Sequence, residues 1–265
     1  MDYHFITYDI EDRIVTVTLN RPEAMNALTD ELYRELRDAL ERIRSDKEAA
    51  CMILSGAGRA FCAGADLKVP RDHMTAIDRR TRHRWILKEV LEPLHRLEKP
   101  VIAAVNGAAV GAGCNLALAC DFIVASKRAS FHQSFTRLGL VPDLGGLYFL
   151  VRAVGLNMAK ELCLTGRKID AEEAGRIGLA NRVVPHEEVL LVARQIALEI
   201  ANASPTANAM AKTLLNMSSS SSLEQMLEYE GYAQTMAFMS PDYKEGVEAF
   251  RERRAPNFFD SLQKT

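Results

Sequence analysis

Charge of one sign is what this sequence does not have. Its 33 Lys+Arg stand against 35 Asp+Glu for a net charge of -2, so nothing advertises a polyanionic partner, and no nucleic-acid partner is expected. Paired cysteines are missing as well. Five are present, at 51, 62, 114, 120 and 163, mostly inside apolar runs and without a Cys-x-x-Cys spacing. That pattern argues against a disulfide framework and for reduced, buried thiols in a cytoplasmic setting. The six histidines are scattered and none recurs at ligand spacing, so no metal is expected. No apolar run is long enough to span a bilayer, and no membrane partner is expected. The opening residues, MDYHFITYDIEDR, carry charge throughout and leave no apolar core for a signal peptide.

What is present is an ordinary enzyme-like mix, 48% hydrophobic and 26% charged over 265 residues, enough for one large domain or a domain with an appendage. Residues 3–19 alternate as a hairpin with a polar turn at Glu11-Asp12. Thr29 is a candidate N-cap for a helix whose Leu32, Leu36, Leu40 and Ile43 share one face. Cys51–Leu54 reads as a buried strand. A polar segment from Val69 to Ile77 precedes an arginine-rich helix over residues 79–99. Further strands are expected at Phe122–Ala125, Ser130-Phe131 and Ala180–Val184, and helices after Asp143, near Met158–Leu164, after Asp170 and over 187–203. From residue 205 onward only helical segments remain, with a capping box at Ser222/Gln225 and an N-cap and N1 pair at Ser240-Pro241. Strands alternating with helices, then helices alone, predict an α/β core over residues 1–204 and a C-terminal helical region over 205–265.

The stretch from Pro100 to Asp121 organises the rest. A buried strand at Val101–Val105 stops at Asn106-Gly107, bends at Gly111-Ala112-Gly113 and enters a helical run at Asn115–Cys120. A strand that hands a glycine turn to a helix start leaves backbone N–H groups unpaired, the geometry that receives an anion. Phe61–Leu67 is a second stretch of this kind. Either loop alone also fits a tight turn with close helix–sheet packing.

Five stretches in order, LNRPEAMNAL, ILSGAGRAFCAGADL, KPVIAAVNGAAVGAGCNLALACD, FTRLGLVPDLGG and SPDYKEGVEAFRERRAPNF, resemble the motifs of the crotonase (enoyl-CoA hydratase/isomerase) family across nearly the whole chain. The resemblance implies a spiral of ββα turns, a C-terminal helical region that builds a homotrimer or dimer of trimers, and acyl-CoA thioester substrates. Coenzyme A would enter as part of the substrate, with no separate cofactor. It also implies an oxyanion hole from the N–H groups of Ala65 and Ala112. Contacts to CoA would come from Ala63, Ala65, Asp66, Leu67 and Lys68, and from Phe250 and Arg253 toward a neighbouring subunit. Small residues at 63–65 and 111–113 would let the thioester approach the backbone closely.

The chain departs from the hydratase pattern where that pattern carries its chemistry. The two family glutamates that share the water molecule fall on Asn115 and Phe135, and neither can take a proton at neutral pH. One carboxylate is left in reach, Asp143 in Val141-Pro142-Asp143-Leu144-Gly145-Gly146. In the family branches with acid here it resembles a general base of isomerases or a nucleophile of dehalogenases. Apolar Phe135, Leu140 and Val141 beside it would raise its pKa. Pro-Asp-x-Gly is equally ordinary turn or N-cap chemistry. His132 could donate to the site or serve structure. Arg79, Arg80, Arg82 and Arg84, with Arg251, Arg253 and Arg254, could meet CoA phosphates or form solvated faces, and Cys62 and Cys114 read as small buried fillers. The expectation is an isomerase in which Ala65 and Ala112 hold the thioester oxygen and Asp143 moves a proton. The rivals are a residual hydratase, a hydrolase or dehalogenase working through Asp143, and a silent acyl-CoA-binding protein.

Overall fold

The computed structural model describes residues 3–70 and 72–259. Of the helical region expected over 205–265, residues 260–265 lie outside that range. Strands β1 (Ile6–Glu11) and β2 (Ile14–Leu19) form the antiparallel hairpin, turning at Asp12 and Arg13, both at positive φ. Then come α1 (Asp30–Ser45), β3 (Cys51–Gly56), β4 (Ala60–Cys62) and α2 (Ala76–Ile86). Thr29 caps α1, accepting from the Leu32 N–H. A Thr75/Asp78 capping box starts α2 earlier than the sequence suggested, taking in the end of the expected 69–77 segment. The helix runs through a π-helical turn at Leu87–Leu91 into α3 (Glu92–His95). The widened turn sits ahead of Pro93, which has no N–H and whose ring would strike the carbonyl four residues back in a regular helix.

The chain continues with β5 (Val101–Val105), β6 (Ala108–Val110), α4 (Ala112–Leu118), β7 (Phe122–Ser126), β8 (Ser130–His132), a 3-10 turn at Ser134–Leu138 and α5 (Gly146–Thr165). Gly155, non-helical at φ 77 and ψ 162, divides α5 into the two helices the sequence predicts. After β9 (Lys168–Asp170), α6 (Ala171–Arg176), β10 (Arg182–Val184) and α7 (Val189–Ala201) come three helices. These are α8 (Pro205–Ser218), α9 (Leu223–Met239) and α10 (Pro241–Glu252).

Two sheets take alternate strands. The larger has the order β1-β2-β3-β5-β7-β10 and the smaller β4-β6-β8-β9. Each turn of the chain lays one strand in the large sheet and the next in the small sheet, then crosses by helix: β3, β4, α2; β5, β6, α4; β7, β8, α5. This is a ββα spiral. The central strands of the large sheet are buried on both faces, which is why they read as unbroken apolar runs. Cys51, Ile53, Ile102, Ala104 and Val124 face α7, where Ala193 and Ala197 let the helix lie close. Met52, Leu54, Val101, Ala103 and Val105 face the main core with α1.

Candidate active site

The small sheet decides which loops meet. Strands β4, β6 and β8 are parallel neighbours, so the loops leaving their C-terminal ends lie in a row. Those loops carry Ala65, Ala112 and Phe135. The sequence predicted a direct hand-over from β5 through a glycine turn to the helix. Instead β6 intervenes, and it is this added strand that brings Ala112 beside the β4 loop.

Asn26 fixes the first loop. Fully buried and at positive φ, it donates from Nδ2 to the carbonyls of Ala57 (2.9 Å) and Ala60 (2.8 Å), while its Oδ1 accepts the Arg21 N–H at 2.8 Å. Beyond it the Leu28 N–H donates to the Gly64 carbonyl (2.8 Å), and the Asp66 N–H to the Leu28 carbonyl (3.1 Å). Groups on either side of Ala65 therefore point at Leu28, and in an extended segment the N–H of Ala65 itself points the opposite way. Among the described residues it has no protein acceptor.

In the second loop Gly111 (φ 53) closes onto His132, its N–H donating to that carbonyl at 2.7 Å. Ala112 is the first residue of α4, so its N–H has no intrahelical acceptor, and none is found elsewhere among the described residues. The helix begins at Ala112 rather than at Gly113 or Asn115. The glycines serve close packing, the other account the sequence allowed for them. A Cβ on Gly64 would fall 2.6 Å from the Val110 carbonyl oxygen and 3.5 Å from the Ala112 nitrogen, and one on Gly113 would fall 2.3 Å from the Cys62 carbonyl oxygen. The smallness lets the two loops approach each other, and that approach brings the Ala112 N–H beside the Gly64-Ala65 turn.

Asp143 stands in a turn closed by the Gly146 N–H donating to its carbonyl at 2.8 Å. Leu144 (φ 43) and Gly145 (φ 69) follow in the left-handed region. Gly145 is the N-cap of α5 and no side chain caps that helix, so Asp143 is not a helix cap. Its Oδ1 is buried and accepts no hydrogen bond among the described residues. Burial raises the Asp143 carboxyl above its ordinary pKa, with His83 and Arg82 on α2 pulling it partly back. Of the three apolar neighbours expected to do this, only Phe135 is buried. Leu140 and Val141 project outward.

Asn115 and Phe135 occupy the space beneath. The Asn115 side chain is fully buried, donates to the Asp143 carbonyl at 2.7 Å, and accepts at Oδ1 from Gln133 Nε2, also at 2.7 Å. The Phe135 ring lies against Gly111, 3.6 Å from where a Cβ would sit. Among the described residues, the free Ala112 N–H and the free carboxyl oxygen of Asp143 are thus both tied to the first turn of α4, and the free Ala65 N–H lies on the β4 loop packed against it. Asn115 is three residues beyond Ala112, about 4.5 Å of rise, and it holds the Asp143 carbonyl directly.

The chain matches a family model described as enoyl-CoA hydratase/isomerase over residues 9–261. It belongs to the enoyl-CoA hydratase/isomerase family. Among similar proteins, a probable enoyl-CoA hydratase of Rhodobacter capsulatus is 41% identical over 97% of this chain and 99% of its own length. A 1,2-epoxyphenylacetyl-CoA isomerase of Escherichia coli K12 is 38% identical over 96% and 98%. The crystal structure of an enoyl-CoA hydratase from Bacillus anthracis superposes with a TM-score of 0.92 at 37% identity, covering 96% of this chain and 99% of that one.

The family acts on acyl-CoA thioesters, and the remaining candidates of this chain sort by placement. Ala63 is half-buried, and Leu67 and Lys68 are exposed beyond Ala65. The Asp66 side chain turns inward. Burial alone would raise it, but the Lys68 N–H (3.0 Å) and Arg21 guanidinium (3.1 Å) outweigh burial and hold its carboxyl below the usual range. Phe250 is 85% exposed and Arg253 ends α10 at positive φ. That helix packs chiefly on α9, so the packing that gathers the loops does not include them. His132 bonds the Gly166 carbonyl through Nε2 at 2.7 Å, a structural contact. Arg82 is held by Asp30, and Arg254 by Glu245 and Glu252. The Cys62 and Cys114 thiols are buried and pushed up to about 12 by burial, as unreactive fillers should be. Sequence reasoning missed Asn26, Arg21 and Gln133. Asn26 and Arg21 stood inside a quoted motif, but a lone Asn after a turn looks like turn chemistry.

Proposed function

We propose that the protein moves a double bond within an unsaturated acyl-CoA. The N–H groups of Ala65 and Ala112 would hold the thioester oxygen, and Asp143 would take a proton from one carbon of the acyl chain and return it to another. Loss of that proton places charge on the thioester oxygen, where each preorganised donor is worth about 3 kcal/mol. The observation that carries this reading is the pairing of one buried, unpartnered carboxyl oxygen on Asp143 with Asn115 and Phe135 at the glutamate positions. A single proton carrier suffices for migration, and neither Asn115 nor Phe135 can deprotonate water. The E. coli relative named as an isomerase is in keeping with it. CoA itself would lie along Ala63, Ala65, Asp66, Leu67 and Lys68, with Phe250 and Arg253 of a neighbouring copy closing the site in a homotrimer or dimer of trimers.

A hydratase is the second reading, favoured by the names of the R. capsulatus and B. anthracis relatives. One variant separates the two. Asp143→Asn is expected to lower double-bond migration by about 10²–10⁴-fold while acyl-CoA binding stays within a few-fold, measured with a panel of unsaturated acyl-CoAs and product identification. Unchanged migration in that variant would sink the assignment. Rapid hydration of crotonyl-CoA that survives it would move the protein to the hydratases.

A further inference from the structure

The carbonyl of Asp143 can only accept hydrogen bonds, and that fact orients everything behind it. It takes the Gly146 N–H at 2.8 Å and Asn115 Nδ2 at 2.7 Å, so the Asn115 amide must face it with nitrogen. Asn115 Oδ1 then faces Gln133, which must answer with Nε2 at 2.7 Å. Gln133 Oε1 is left buried without a partner among the described residues, the sign that this chain of amides runs in one direction and ends there. The Asn115 carboxamide also lies flat on Gly146, where a Cβ would be 2.2 Å from Nδ2 and 2.5 Å from Oδ1. The turn it grips carries Leu144 at φ 43, a conformation a leucine holds only when its surroundings impose it.

We infer that Asn115 and Gln133 are positioning residues that lock the Asp143 turn, so that the position which carries a glutamate in hydratases has been rebuilt to hold a base from another loop. The inference rests on the reading of Asp143 as the proton carrier. A carboxylate at 115 would face the Asp143 carbonyl oxygen with like charge. Phe135 completes the exchange of function by filling the second glutamate position with an apolar ring. Among the described residues, the charged groups facing Asp143 come from α2, His83 and Arg82, the latter engaged by Asp30. From α4 and the segment after β8 come only neutral amides. Releasing the lock would let water reach Asp143, and its carboxyl would move down toward the ordinary range.

The test follows the Asp143 carboxyl directly. Protein labelled with ¹³C at aspartate carboxyls is titrated by NMR, with Asp143→Asn assigning the resonance, in the wild type, Asn115→Ala and Gln133→Met. The midpoint is expected to fall in both variants, further in Asn115→Ala. For migration of an unsaturated acyl-CoA, kcat is expected to drop about tenfold with KM within about threefold, and the acid limb of the pH profile to move the same way. A purely structural role would lower thermal stability without moving that limb. An Asp143 midpoint unchanged in Gln133→Met, which keeps the Asn115–Asp143 bond and so is the milder substitution, overturns the inference even if Asn115→Ala does not fold. Midpoints that shift while Asp143→Asn turns over normally would keep the lock and discard the base.

Discussion

Two carboxyls of this site are shifted in opposite directions, and stability should follow each with opposite sign. Asp66 is held low, so its contribution is present above the ordinary aspartate value of about 3.9 and fades as pH falls through its folded value. Asp143 is held high by burial. Between the ordinary value and its raised one the folded chain binds the extra proton. Stability therefore declines as pH rises through that window, and above it the full penalty of a buried carboxylate remains. Asp143→Asn removes the penalty. Thermal melts should show a gain of about 1 kcal/mol at neutral pH, about 2–4 °C for a chain of this size, growing from acid pH upward and then level. A gain that does not change with pH would mean that ionisation is not its source. A more stable, inactive variant is what a functional group buried at a cost to stability yields.

The loops around Ala65 and Ala112 behave as one element, because Gly64 and Gly113 let backbone touch backbone. Gly64→Ala would add a Cβ at 2.6 Å from the Val110 carbonyl, at a φ of 86 that alanine resists. It should part the loops and lower kcat by about 10²–10³-fold, the scale of one lost oxyanion donor. Stopped-flow binding of acyl-CoA should show substrate still captured; a variant with normal kcat would mean that the two N–H groups do not act together. This closeness could not be read from periodicity. Strands β4, β6, β8 and β9 have three residues each, too short for an alternation to show, and so of the small sheet only β8 was expected, at Ser130-Phe131, while the long strands β2, β3 and β5 were plain. The capped helix starts at Thr29, Asp170, Ser222 and Ser240 were legible because the cap is a local hydrogen bond, whereas those at Thr75 and Ser204 were not read. The site was legible only through motif resemblance, and the residues it missed, Asn26 and Gln133, act across long sequence separations onto backbone or amide partners that no spacing reveals.

At the scale of the whole molecule, the C-terminal helices are firmly attached yet unfinished. Lys212 on α8 reaches Asp121 at 2.7 Å and the Lys99 carbonyl at 3.3 Å, and Asp121 also accepts the Val101 N–H. Ser204 ties the start of α8 to Asp242 of α10 at 2.5 Å. On this fixed frame Leu223, Tyr232, Met239 and Phe250 stand exposed, and a groove of about 1370 Å³ opens between α9 and the core near Arg13 and Lys99. A rigid apolar surface of this kind marks a contact with another copy more readily than a free face. If a neighbour supplies Phe250 and Arg253 to each site, then two defective chains should repair one another. Asp143→Asn lacks the base but carries an intact α10, while Arg253→Ala carries the base but a damaged contact. Co-expressed in equal amounts, they place an intact Asp143 beside an intact neighbouring Arg253 in about a quarter of the sites of a closed ring. Migration activity should rise to about that fraction of the wild type, above the mean of the two variants assayed separately. Activity no higher than that mean would place the CoA contact within a single chain and leave the exposed face of α8–α10 with no part in the chemistry.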